Sequence, residues 1–292
     1  MNEPFDDQII LNDLRWVCSA PSLLEAHSQI WQPGLLDYDQ ITAKIDSNHL
    51  NSLALARTKK LGGYFEQLVF SLFTLSDDYQ VLAFNQVFNN SQRTLGELDL
   101  LIKHKSGEVI HLELALKFYL WAESELVSQF NWVGAGLTDF FALKLARLAS
   151  HQLKISQIAI KQQCWPDLPK PDRSMLWIPG RLFLPEGMAL RDTICEFSDS
   201  PWRLNPSALT SHWQIDHDLK KHENNALVKG DWLTGYASRP EAAMKRYQLP
   251  MQFAGKENSP VFILPGNWQN DAKATIENKQ LNYELNCTKP KR

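Results

Sequence analysis

Two alternating runs joined by a tight loop lie between Gly96 and Leu120, in GELDLLIKHKSGEVIHLELALKFYL. In the first, Leu98, Leu100 and Ile102 alternate with Glu97, Asp99, Leu101 and Lys103. In the second, Leu112, Leu114, Leu116 and Phe118 alternate with His111, Glu113, Ala115, Lys117 and Tyr119. A side-chain period of two is the strand pattern. Each predicted strand therefore has one apolar face and one face that holds carboxylates and a lysine.

Loop length decides whether those carboxylates meet. A two-residue loop at Ser106-Gly107 pairs Lys105 with Glu108 and sets Asp99 opposite Leu114. A three-residue loop, Lys105-Ser106-Gly107, pairs His104 with Glu108 and sets Asp99 opposite Glu113. Three-residue hairpin loops end on a left-handed residue, and Gly107 stands there. The second register is therefore expected, with directly opposed Cβ atoms roughly 4.5–5.5 Å apart. Two carboxylates so close repel, so one takes a proton or a cation lies between them. A hard divalent cation such as Mg²⁺ suits oxygen ligands. Lys117, on the Glu113 face, is expected to add positive charge nearby.

An acid on one strand, followed by an acid and a lysine on the next, resembles the PD-(D/E)XK nuclease superfamily. GELDLL is similar to the GEIDLI of small bacterial nuclease-like proteins in that superfamily. The longer string, GYFE, then GELDLL, then HLELALKFYL, resembles a bacterial family of unknown function. DLRWVCSAPSLL, HQL and GRLFLP fit it too, so the resemblance touches residues 12 to 185. It implies an α/β (mixed α+β) protein with a restriction-endonuclease-like core: helix, three-stranded antiparallel meander, helix, strand. It also implies that Asp99 and Glu113 are ligands of a Mg or Mn ion and that Glu66 is the acid of the preceding helix. The lysine departs from the pattern. The superfamily position, two residues after the second acid, is Ala115 here, and Lys117 comes two later.

The implied activity is metal-dependent phosphodiester hydrolysis in DNA or RNA, with Glu66, Asp99, Glu113 and Lys117 as catalytic residues. The shifted lysine and a net charge of −3 favour an alternative, a catalytically inactive nuclease-like binding or interaction protein. A third reading makes the acids a polar sheet face with Lys117 paired to Glu113; exposed pairs of that kind contribute about 0–1 kcal/mol. There is no GxSxG, P-loop, HExxH or dinucleotide fingerprint.

The acidic balance gives no global attraction to nucleic acid, so a nucleic-acid partner needs a local basic patch. Lys144, Arg147, His151 and Lys154 recur at steps of three, four and three, as a phosphate contact or a solvated helix face. Arg93 and Thr94, just before the hairpin, read as a phosphate contact or a solvated loop. Gln152 is a further candidate for the same site. Four scattered cysteines, Cys18, Cys164, Cys195 and Cys287, argue against a zinc ribbon or disulfide framework and fit a reducing, cytoplasmic setting. MNEPFDDQ has no apolar core for a secretory signal, and no run approaches ~18 apolar residues, so no membrane span is expected.

A helix broken at Ala20-Pro21 is expected over residues 10 to 32. From Asn51 to Leu75 the helical stripe is Leu61, Phe65, Leu68, Leu72 and Leu75, with Glu66 beside it. Gly62 and Gly63 point to close backbone approach. Val81–Phe88 reads as a strand, Trp121–Trp132 and Leu137–Leu153 as helices, and Ile155–Ile160 as a strand. The proline-rich stretch Cys164–Arg173 marks a boundary. The expected domains are therefore 1–165, a nuclease-like core with N-terminal helices, and 166–292, a Trp-rich α+β extension packed on it. In the extension MLWIPGRLFLP reads as strand–turn–strand, VFILP as a buried strand, and Lys289–Arg292 as a disordered basic tail.

Overall fold

The computed structural model describes residues 7–125, 127–216, 219–245, 249–256 and 259–287. The chain forms two compact units, Met1–Lys117 with Arg147–Gly180 and Phe118–Ala146 with Arg181–Arg292. It begins with α1 (Asp7–Ser19), α2 (Tyr38–Thr42), α3 (Ser47–Arg57), α4 (Leu61–Leu75), β1 (Tyr79–Asn89), β2 (Thr94–His104) and β3 (Val109–Leu114). It continues with β4 (Lys117–Trp121), β5 (Trp132–Val133), α5 (Phe141–Ser150), α6 (Ile155–Lys161) and β6 (Arg173–Trp177). β7 (Gly180–Pro185), β8 (Thr210–Ile215), α7 (Pro240–Lys245), β9 (Met251–Phe253), β10 (Val261–Leu264) and α8 (Trp268–Cys287) complete it.

The first unit is built on a four-stranded mixed sheet in the order β1-β2-β3-β6. β1, β2 and β3 form an antiparallel meander, and β6 lies parallel to β3. α4 packs on β1 and β2. Phe65, Leu68 and Leu72 are buried, as the stripe predicts, and Tyr64, Val69 and Phe73 widen the buried face.

α6 occupies the stretch expected to be a strand. Ile155 and Ala159, one helical turn apart, are buried against Leu98, Leu101 and Val109, and Ile158 packs beside them. ISQIAIK satisfies both periods, and packing on β2 selects the helical one. The strand after the helices is instead β6, from the first half of the predicted strand–turn–strand. The proline-rich stretch is packed rather than a linker: Cys164, Trp165 and Leu168 lie on this cluster, and Trp165 stacks on Phe88 at 5.4 Å. Residues 166–180 accordingly belong with the first unit, where a linear division after 165 would put them in the second.

The hairpin turn has three residues. His104 N–H donates to the Glu108 carbonyl at 2.8 Å, and Gly107, at φ +97°, donates to His104 at 2.8 Å. The register runs Lys103↔Val109, Ile102↔Ile110, Leu101↔His111 and Leu100↔Leu112, so the next step sets Asp99 opposite Glu113. The second strand is shorter than expected. It ends at Leu114, and Lys117 opens β4, whose partners lie in the other sheet. Lys117 is therefore not on a continuous strand face with Glu113.

Three further expectations change. No helix covers Trp121–Trp132 among the described residues; a single 3₁₀ turn, Gln129–Asn131, lies there. α5 spans only Phe141–Ser150, because Leu137 adopts φ +58° and the helix breaks at His151 (φ −131°, ψ −59°). The basic series Lys144, Arg147, His151, Lys154 therefore does not run along one helix. Gly62 and Gly63 make no close approach, since a Cβ at either meets nothing within 4 Å. Gly62→Ala and Gly63→Ala are each expected to raise stability by about 0.5–1 kcal/mol, because alanine restricts the unfolded chain and suits a helix. Urea denaturation of the two variants checks this, and a loss of stability would restore the close-approach reading.

Gly96, by contrast, has a packing reason. A Cβ there would fall 2.7 Å from Ile155 Cδ1, so the first residue of GELDLL lets α6 approach β2.

The second unit is organised on a six-stranded sheet in the order β5-β4-β7-β8-β10-β9. β7, β8 and β10 are mutually parallel, and β9 is antiparallel to β10. VFILP forms β10 as expected, and the polar C-terminal stretch forms α8. Lys289–Arg292, read as a disordered tail, lies outside the described residues. No helix among the described residues is long and apolar enough to cross a membrane.

Candidate functional site

The hairpin register gathers acids at one end of the first unit's sheet. Asp99 on β2 and Glu113 on β3 lie one residue beyond the Leu100↔Leu112 pair, and Asn85 on β1 falls between the pairs Phe84↔Leu100 and Gln86↔Leu98 that flank Asp99. Glu66 reaches the same place from α4, with Asn85 Nδ2 3.5 Å from its Oε2. Asn85 holds a left-handed backbone, φ +50°, in the middle of β1. Its Oδ1 is buried and accepts no hydrogen bond from the described residues.

Glu113 is fully buried and fixed from both sides. Its Oε1 lies 2.8 Å from His111 Nε2, and its Oε2 accepts from Gln152 Nε2 at 3.3 Å. His111 is also fully buried, and burial pushes its pKa down to about 4, so the ring is neutral. The contact with Glu113 is thus a hydrogen bond rather than an ion pair. Ser174 Oγ, 3.1 Å away, and Ser156 Oγ, 3.3 Å away, both face His111 Nδ1. That network assigns the proton to Nε2, which donates to Glu113, and leaves Nδ1 to accept from a serine hydroxyl. Ser174 comes from β6 because His111↔Ser174 is a register pair, and Ser156 comes from α6.

Asp99 is only partly buried, and its Oδ2 accepts the Leu114 N–H at 2.7 Å. Its pKa is raised to about 8, first by desolvation and next by the Glu113 charge; Glu66 adds to the rise, and the Leu114 N–H opposes it. The Glu66 pKa is raised as well, mainly by burial, with the Glu97 charge contributing. Carboxylates in this position hold a proton near neutral pH or give it up to a cation.

The donor chemistry is that of a hard cation: carboxylate oxygens and one unpaired amide oxygen. Among the described residues no group of three or more His, Cys, Asp or Glu side chains is arranged to hold a metal ion. The oxygens present for a hard cation such as Mg²⁺ or Mn²⁺ are those of the Asp99, Glu113 and Glu66 carboxylates and Asn85 Oδ1.

The structure thus brings Glu66, Asp99, Glu113 and Gln152 together. Arg93 is exposed in the loop before β2, where its N–H donates to Asn90 Oδ1. Arg147 is in the last turn of α5 in the first unit, whereas Lys144 belongs to the second unit. Asn85, His111, Ser156 and Ser174 were not legible as site residues. The one available signal was Asn85, a residue type disfavoured in strands, at the centre of VLAFNQVF.

No curated protein and no solved structure matches the chain. A model of a domain of unknown function matches residues 12–264, most of the length, and the chain belongs to that family, DUF1853.

Proposed function

We propose that the first unit is a metal-dependent nuclease core of the PD-(D/E)XK kind, hydrolysing phosphodiester bonds in DNA or RNA. The observation that carries this reading is the Asp99–Glu113 pair, opposed across adjacent strands, with the Asp99 pKa raised to about 8. The strand order supports it: an antiparallel meander after α4, then helices, then a strand parallel to β3. Asp99 and Glu113 would hold Mg²⁺ or Mn²⁺, with Asn85 and Glu66 around them. Such an ion, when bound, polarises a phosphate and acidifies water. The chain's own contribution is orientation: His111 and Gln152 fix both oxygens of Glu113, and the Leu114 N–H fixes one oxygen of Asp99. Lys117, three residues beyond Leu114, is the cationic candidate for the reacting phosphate.

A second reading, a nuclease-like binding protein without chemistry, is favoured by one observation, the strand break that takes Lys117 off β3. Two measurements separate them. In the first, DNA and RNA are incubated with Mn²⁺ and wild type, Asp99→Ala or Glu113→Ala. Cleavage by wild type, lost by at least a hundredfold in both variants, is expected, and cleavage that persists in both removes the mechanism. In the second, Mn²⁺ is titrated calorimetrically; no binding at millimolar concentration selects the non-catalytic reading.

A further inference from the structure

The second unit contains a buried cation with no acid to balance it among the described residues. Arg181, on β7, is 7% exposed. Its Nε is buried with no hydrogen-bond partner among the described residues. Burial alone pushes its pKa down, to about 10, and no acid among the described residues raises it. The guanidinium therefore stays charged, and moving an unpaired charge out of water is costly.

Its surroundings can be placed by register. Lys117 N–H donates to the Pro179 carbonyl at 3.2 Å, and Gly180 faces the Lys117 carbonyl. One step further along these neighbouring strands, Phe118 and Arg181 lie side by side on one face. Phe183, two residues on, shares that face; Phe183↔Ser211 and Trp213↔Phe262 extend it across β8 to β10. Trp232 sits over the face, its ring 5.6 Å from Phe118 and 5.3 Å from Phe262, while Phe183 and Phe262 are 4.7 Å apart. Trp232 thus covers the part of β7 that bears Arg181 and Phe183.

Two more features point the same way. Trp232 Nε1 is buried and has no acceptor among the described residues. Lys229 Nζ lies 4.3 Å from the Trp232 ring centroid; its pKa is lowered by partial desolvation, although the side chain as a whole is exposed. One aromatic-walled face therefore carries a buried guanidinium, an indole N–H and, over the indole ring, an ammonium, and no carboxylate among the described residues acts on Arg181 or Lys229.

We propose that this face of the second unit is a binding site for a small oxyanion, phosphate or carboxylate, with Arg181 as its anchor and Trp232 and Lys229 completing the donor set. A planar guanidinium grips either group with two parallel hydrogen bonds. The site is independent of the nuclease reading, since its residues all belong to the other unit.

The test is calorimetric titration of the full chain with inorganic phosphate and, separately, with acetate, at constant ionic strength in chloride. Wild type is expected to bind at least one of the two, and the pair of titrations tells phosphate from carboxylate. Arg181→Met should weaken that binding at least tenfold, and Arg181→Lys, which keeps the charge but not the fork, by less. Bound anion should also raise the wild-type Tm by about 2–4 °C and leave Arg181→Met unmoved. Binding of neither anion by wild type, or equal binding by Arg181→Met, overturns the site. Should Arg181→Met not fold, Lys229→Ala at its exposed position decides: a loss of affinity supports the site, and unchanged affinity overturns it.

Discussion

Arg57→Ala is expected to destabilise the first unit by about 3–5 kcal/mol, the largest single-residue loss away from the apolar core. Arg57 Nε lies 2.8 Å from Asp13 Oδ2, and both side chains are almost wholly buried. Tyr64 donates its hydroxyl to the same oxygen at 2.8 Å. Burial and the Asp13 charge push the Tyr64 pKa well up, so the phenol stays protonated and keeps donating. The triad joins α1, α3 and α4, and α4 also carries Glu66. Removing Arg57 leaves the buried Asp13 carboxylate without its cation, facing the neutral Tyr64 hydroxyl. Replacing both charged partners, as in Asp13→Leu with Arg57→Met, should recover most of the loss, because apolar side chains of similar size need no counter-charge. Chemical denaturation of the single and double variants measures the coupling. A loss below about 1 kcal/mol for Arg57→Ala would show that Asp13 is not held as an anion.

That triad also marks what sequence reading misses. Asp13 and Arg57 are 44 positions apart, and neither stands out in its helix. The hairpin was legible because both its determinants are local: a period of two on each side and a glycine at the end of a three-residue turn. Its register then put Asp99 opposite Glu113 with no long-range information. The length of β3 was not legible, because LELALKFYL alternates without interruption, while tertiary pairing ends one strand at Leu114 and starts another at Lys117. The same ambiguity hid α6, where apolar spacing suits a strand and a helix alike. In the sequence His111 is only one polar position of an alternating run. Its part in holding Glu113 depends on Ser174 from β6 and Ser156 from α6, partners that only the folded sheet supplies. Arg181 was invisible for the opposite reason, since what distinguishes it is burial without an acid among the described residues.

Asp99→Asn is expected to make the protein more stable than wild type at pH 8, and no more stable at pH 4. The folded Asp99 carboxyl has its pKa raised to about 8, against an ordinary value of 3.8. A raised pKa means that the folded chain holds a proton the unfolded chain releases. The associated stability is complete below pH ~4 and is lost as the pH climbs through about 8. Asparagine imitates the protonated acid, can still accept the Leu114 N–H, and does not ionise. The stability difference should therefore be near zero at pH 4 and grow to about 5 kcal/mol at pH 8. His111 adds a slope of the other sign, because its lowered pKa, about 4, favours the folded state above its ordinary 6.5 and loses that advantage in acid. It is present in both proteins, so comparing variant with wild type at each pH removes most of its effect. Mn²⁺ sharpens the test. A cation that relieves the Asp99–Glu113 repulsion should stabilise wild type at pH 8 more than Asp99→Asn, shrinking the gap as the metal is raised. A difference that stays flat from pH 4 to 8 would mean that Asp99 ionises freely and that the two carboxylates do not feel each other. The charge crowding on which a divalent site depends would then be missing.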